Sequence, residues 1–129
     1  MRAEELKGHL DAMLLAALEG GPRHGYAVIE ALRQSTDGRL DLPTGTIYPA
    51  LRRLEQAGLI AGTWSVGGGR RRREYRRTPA GIRALSGRRA AWQDFSAIVT
   101  AALESATRVN AALENAALED TACPSPNPA

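Results

Sequence analysis

Cysteine is almost missing from this chain of 129 residues, with Cys123 the only one. A single thiol can neither close an intrachain disulfide nor build a zinc cluster. Lysine is equally scarce, and Lys7 stands alone. Aromatic side chains make up 5%, so a core has to come mainly from Leu, Ala, Ile and Val. The two histidines, His9 and His24, lie far apart at expected helix starts. No His, Cys or Asp grouping has ligand spacing, so no metal, no cofactor and no catalytic set is expected. No apolar run is long enough for a membrane, and no signal-peptide pattern is visible. The expected compartment is the cytoplasm.

What the chain does have is arginine, unevenly placed. The net charge is only +3, but residues 70–77 carry six arginines against one glutamate. Beyond Leu103 the balance reverses, with Glu104, Glu114, Glu119 and Asp120 against Arg108. Such asymmetry points to a local anionic partner. Arginine's planar fork can meet phosphate or guanine through two hydrogen bonds at once. Codon bias in a GC-rich genome explains the preference for arginine equally well.

Along the chain, Leu10, Met13, Leu14, Ala17 and Leu18 form an apolar stripe on a helix over about residues 9–19, closed by Gly20-Gly21-Pro22. A second helix is expected over about 25–35, its stripe being Ile29 and Leu32 with Tyr26 or Val28. Asp37-Gly38 then marks a turn. The third helix starts near Thr44. Ile47, Leu51, Leu54 and Gly58 share one face, and Gly45, Pro49, Arg52, Arg53 and Gln56 lie opposite. Pro49 removes a backbone donor and presses its ring on residue 45, which is glycine and can yield. The other reading moves the helix start to near Tyr48. Gly58 ends the helix in a left-handed conformation.

Ile60, Trp64 and Val66 then alternate, as in a strand with one covered face. Gly67-Gly68-Gly69 permits a loose hairpin turn, and Arg70 to Arg77 return as the second strand. Gly67-Gly68-Gly69 is no phosphate-binding loop, because it joins two strands and lacks the lysine-serine/threonine pair. Thr78-Pro79 opens a further helix as N-cap and N1. Its stripe runs through Ile82, Leu85, Ala91 or Trp92, Phe95, Val99, Leu103, Ala106, Val109 or Asn110, Leu113 and Ala117. Either this is one long helix or two helices broken near Gly87. A long one cannot bury its whole stripe against so small a domain, so it pairs with the first helix and with a second copy of the chain.

The expected fold is therefore mainly α with a small β-hairpin: a winged helix-turn-helix over 1–78, a C-terminal dimerisation helix over 79–119, and a disordered tail over 120–129. A helix followed by a basic hairpin suits a major groove and the adjoining backbone of double-stranded DNA. The amino-terminal part of such a helix reaches base edges; here that is Thr44, Thr46, Tyr48, Arg52 and Arg53. Arg70, Arg71, Arg72 and Arg73 are assigned to phosphate or the minor groove. A winged-helix interaction module for a protein or RNA is the alternative.

His24-Gly25-Tyr26, the run Gly45-Thr46-Ile47-Tyr48-Pro49 with Arg53-Leu54-Glu55 and Gly58-Leu59-Ile60, then Trp64 and Tyr75-Arg76-Arg77-Thr78-Pro79-Ala80-Gly81 resemble the PadR family of bacterial transcription regulators. The match extends from about residue 10 to 95, and the short C-terminal part is similar to the small PadR subgroup. That resemblance implies a homodimer, usually a repressor on a pseudo-palindromic operator, held together by its first and last helices. It also implies a cavity at the dimer centre for a small hydrophobic or aromatic effector, lined by an aromatic that Trp92 matches, with Phe95 beside it. Spacing alone fits an ordinary helix core for Trp92 and Phe95 as well. One departure stands out: Arg77 replaces a usual leucine. Either its stem lies along the core with the guanidinium outside, or this end of the wing is loosened.

Overall fold

The computed structural model describes residues 8–122. Helix α1 spans Leu10–Ala17, strand β1 Arg23–His24, helix α2 Gly25–Ser35 and helix α3 Thr44–Gln56. Strands β2 (Ile60–Gly67) and β3 (Arg70–Arg77) form the hairpin, and helix α4 spans Pro79–Ala122. Residues 1–7 and 123–129, the latter most of the expected tail, lie outside the described residues. The chain divides into one unit ending at Arg89 and a second from Ala90 on.

The first unit is built on a leucine-rich core. Leu14, Leu15, Val28, Ile47, Ala50 and Leu51 are fully buried, and Leu18, Leu54, Ile60 and Leu85 nearly so. Each large side chain so buried contributes about 1.5–3 kcal/mol. Of the expected stripes, Leu14 on α1, Leu18 at its end, and Ile47, Leu51 and Leu54 on α3 are buried, whereas Gly58 is exposed; Leu15, outside the expected stripe, is fully buried as well. On α2, Val28 is buried and Tyr26 is exposed, which settles that alternative. Helix α3 begins at Thr44 with Pro49 inside it, so the later start near Tyr48 does not occur. A Cβ on Gly45 would meet nothing within 4 Å, so the turn beneath Pro49 has room. The helix closes in a Schellman motif. Leu59 N–H donates to the Leu54 carbonyl and Gly58 N–H to that of Glu55, with Gly58 at φ +77°.

The sheet has three strands in the order β1-β3-β2, all antiparallel. Two features of the hairpin depart from expectation. The turn is tight: Gly67 pairs with Arg70, and Gly68 and Gly69 alone make the reversal at φ +60° and +78°. Two left-handed residues match the twist of the strands they join. The even-numbered face of β2 is also covered only at its base. Ile60 is buried, but Trp64 is 58% and Val66 77% exposed, because the hairpin projects beyond the helices. Arginine covers the indole instead, with the guanidinium carbons of Arg71 and Arg73 at 4.7 and 5.4 Å from the ring centroid.

At the wing's base, Arg77 lies half-buried with Nη1 4.0 Å from Glu19. The strand is not loosened there: Thr78 N–H donates to the Leu59 carbonyl. The Thr78 hydroxyl donates to Gly58 O at 2.6 Å and accepts from Gly81 N–H at 3.1 Å, capping α4 as expected.

Helix α4 is continuous through Gly87 and runs to Ala122, the last described residue. In the second unit it carries an exposed apolar stripe: Trp92, Phe95, Ile98, Val99, Leu103, Val109 and Leu113. The side chain of Ala106, expected in that stripe, lies outside the described residues. Among the described residues, no helix is long and apolar enough to cross a membrane, and no group of His, Cys, Asp and Glu could hold a metal ion.

Candidate nucleic-acid interface

The buried stripe of α3 fixes what its other side presents. With Ile47, Ala50, Leu51 and Leu54 turned into the core, Thr44, Gly45, Thr46, Tyr48, Pro49, Arg52 and Arg53 are exposed. All five residues expected to reach base edges therefore lie on the outer surface of one helix. Arg53 is the most restrained, with Nη2 3.8 Å from Asp11 of α1. Tyr48 is 45% exposed, and its ring lies against the backbone of Gly25.

The four wing arginines separate by strand alternation. Arg70, Arg71 and Arg72 are exposed, and Arg73 is half-covered. Arg71 lies over Trp64. Arg72 Nη1 is 3.4 Å from His24 Nε2, which brings the wing beside the start of α2. Arg73 forms an ion pair with Glu55 of α3. The Glu55 hydrogen bond raises the guanidinium above its ordinary value, against the opposing effect of burial. Wing and helix are thus joined by a specific contact between side chains. A Cβ at Gly62 would lie 2.7 Å from Arg73 Nε, so glycine there leaves room for the guanidinium.

Between these parts opens a cleft of about 380 Å³. His24, Gly25 and Tyr26 line it from α2 and its cap, Tyr48 from α3, and Arg71 to Arg73 from the wing. The sequence offers His24 only as a residue at a helix start and Tyr26 only as an alternative to Val28 in the α2 stripe, so neither is expected at such a cleft. Strand β1 is the reason: its two residues pair with Glu74 and Tyr75 of β3 and carry His24 to the wing. A strand of two residues has no periodicity to detect.

Trp92 and Phe95 occupy the second unit. Their ring centroids are 6.1 Å apart with planes tilted by 39°, and they are 51% and 58% exposed. Neither ring belongs to the core described above.

A helix with a polar outer face, a basic hairpin ion-paired to it, and helices packed behind define a winged helix-turn-helix, a DNA-binding class. The PadR-like transcriptional regulator family matches residues 14–87, and the chain belongs to that family. It is 40% identical over 74 residues to the transcriptional regulator Rv3488 of Mycobacterium tuberculosis, across 57% of this chain and 56% of that protein. A PadR family regulator from Eggerthella lenta superposes with a TM-score of 0.67 at 35% identity, covering 78% of this chain and 87% of the other. A transcriptional regulator from Clostridium thermocellum superposes at 0.70 with 28% identity, covering 76% and 96%. The family is one of regulators, not of enzymes.

Proposed function

We propose that this regulator binds a pseudo-palindromic operator as a homodimer and represses transcription from it in the cytoplasm. The observation that carries this reading is the ion-paired α3 and wing, which present two arginine-bearing surfaces side by side. Thr44, Thr46, Arg52 and Arg53 read base edges, with Tyr48 at their flank. Arg70, Arg71 and Arg72 meet phosphate, and Arg73 serves the interface by holding the wing to α3. One bidentate contact from Arg52 or Arg53 to guanine is worth about 1–3 kcal/mol of discrimination.

The exposed stripe on α4 supports the dimer. Seven large apolar side chains on the second unit's part of this helix exceed what a surface helix normally leaves to water. A two-fold dimer would set its recognition helices about 34–36 Å apart, one turn of DNA. Trp92 and Phe95 would then line a site for a flat hydrophobic effector, bound by burial and offset stacking. Release follows only when the effector prefers the dimer that cannot hold DNA.

The test is fluorescence anisotropy on the DNA just upstream of this protein's own gene, with excess unrelated DNA, at two salt concentrations. Binding that survives the competitor supports the regulator. Loss to competitor at that and every other candidate site, with an acidic protein or RNA co-purifying, would replace it. Sedimentation of wild type and Leu103→Arg checks the dimer, which the substitution is expected to dissociate. Quenching of tryptophan by planar hydrophobic compounds, absent in Trp92→Phe, checks the effector site.

A further inference from the structure

The cleft between α3 and the wing has a place in the geometry of any winged-helix complex. When a helix occupies a major groove and its wing the adjoining minor groove, one sugar–phosphate strand separates the two grooves. That strand has to pass between helix and wing. The chemistry of the cleft suits it. A phosphodiester is anionic and accepts hydrogen bonds only, so its seat needs donors. Arg72 offers a guanidinium, and Tyr26 and Tyr48 offer hydroxyls from two different helices. No carboxylate lines the cleft among the described residues, and the nearby Glu55 is already bound to Arg73. Tyr26 is 62% exposed, so its hydroxyl reaches an incoming strand without repacking. His24 lines the cleft as well, with Nε2 3.4 Å from Arg72 Nη1.

We propose that this cleft seats one backbone phosphate of each operator half-site, bound by Arg72 and by the hydroxyls of Tyr26 and Tyr48. His24 is a positioning residue that holds the Arg72 guanidinium in the cleft. The inference rests on the reading of this protein as a sequence-specific DNA binder. It gives Tyr48 a different target, a phosphate instead of a base edge. It also brings the start of α2 into the interface.

The experiment crosses protein variants with single neutral phosphates. A short duplex is selected by the protein from a randomised pool. Each phosphate in turn is then replaced by methylphosphonate, and affinity is measured by anisotropy. For the wild type, one position per half-site within the stretch bridging major and minor groove is expected to lose about tenfold, the scale of a charge-assisted hydrogen bond. Tyr26→Phe and Arg72→Gln are expected to bind the unmodified duplex about five- to tenfold more weakly. They should lose clearly less than the wild type at that one position, while keeping the wild-type losses elsewhere. His24→Ala should show the same pattern, and His24→Gln, which keeps a polar group beside Arg72, should restore part of it. Tyr26 and Arg72 are exposed, so unchanged melting temperatures are expected and exclude misfolding as the cause. Independent losses at every position would overturn the seat and leave the regulator reading intact. A pool from which no duplex is enriched would remove both.

Discussion

The ring of Tyr48 occupies the space that a side chain on Gly25 would need. A Cβ there would lie 2.4 Å from Tyr48 Cε1 and 2.8 Å from its hydroxyl oxygen. This contact joins the first turn of α2 to the exposed side of α3 and fixes the direction of a half-exposed ring. Gly25→Ala should therefore act on function more than on folding. The displaced group is the outer part of a side chain that can swing into water, and alanine suits a helix better than glycine. We expect the melting temperature to stay within a few degrees and DNA affinity to fall about tenfold as the hydroxyl leaves its place. Anisotropy and thermal melting on the same preparation decide it. An equal fall in both would mean that the ring supports the core.

The ion pair between Glu55 and Arg73 restrains the wing relative to α3. Glu55→Gln removes that restraint and one negative charge from the interface. Binding to unrelated DNA should tighten, because released Arg73 can neutralise a phosphate. The salt dependence should then steepen by up to about one unit per recognition helix. Affinity for the selected site should not gain in proportion, since the wing's register is looser. The ratio of specific to non-specific affinity is thus expected to fall, and titrations with both duplexes at two salt concentrations measure it. A ratio that stays constant would mean the pair has no part in selectivity.

The outer face of α3 was legible because its inner face was: once Ile47, Leu51 and Leu54 face the core, 3.6-residue periodicity places Thr44, Thr46 and Arg52 outside. The hairpin was legible as three glycines before an arginine run. Other features depend on pairing between distant segments. Strand β1 exists only because Arg23 and His24 meet Tyr75 and Glu74. Periodicity gives Trp64 and Val66 the same face as Ile60, but not the point where the helices beneath that face end. Nor does an arginine run disclose which member turns inward. The division between Arg72 and Arg73 follows from the alternation of β3 and from the position of Glu55 on a neighbouring helix.

Gly81 shows why a weak helix former occupies the first turn of α4. A Cβ at this position would lie 1.9 Å from the carbonyl oxygen of Leu59, a backbone atom that also accepts from Thr78 N–H. The helix start can approach the end of the α3–β2 loop this closely only with glycine. Gly81→Ala has to push the two backbones apart and strain the Thr78 cap. A loss of about 3 kcal/mol, the upper range for overpacking, is expected. Denaturant unfolding measures it. Gly87→Ala is the matched control: its Cβ would meet nothing within 4 Å, so alanine there should be neutral or stabilising.

Glu19 links the end of α1 to both the wing and the last helix. Its carboxylate accepts from Arg89 Nη1 and Nη2 at 3.0 and 3.1 Å, and Arg77 Nη1 is 4.0 Å away. The Arg89 hydrogen bonds and charge, with a smaller contribution from Arg77, hold this carboxyl below its ordinary value of 4.5. A carboxyl lowered by folding stabilises the native state at pH values above its unfolded value. That contribution is lost as pH falls through the lowered folded value, where native and unfolded chains become equally protonated. Wild type and Glu19→Gln should therefore differ in melting temperature at neutral pH, with wild type the more stable. The two should converge in acid below the ordinary carboxylate value. The pair is exposed, so the difference at neutral pH is expected to be small and to shrink with added salt. Melting curves across a pH series at low and high salt test both dependences. A difference that persists undiminished in acid would mean that Glu19 stabilises the fold by packing and not by charge.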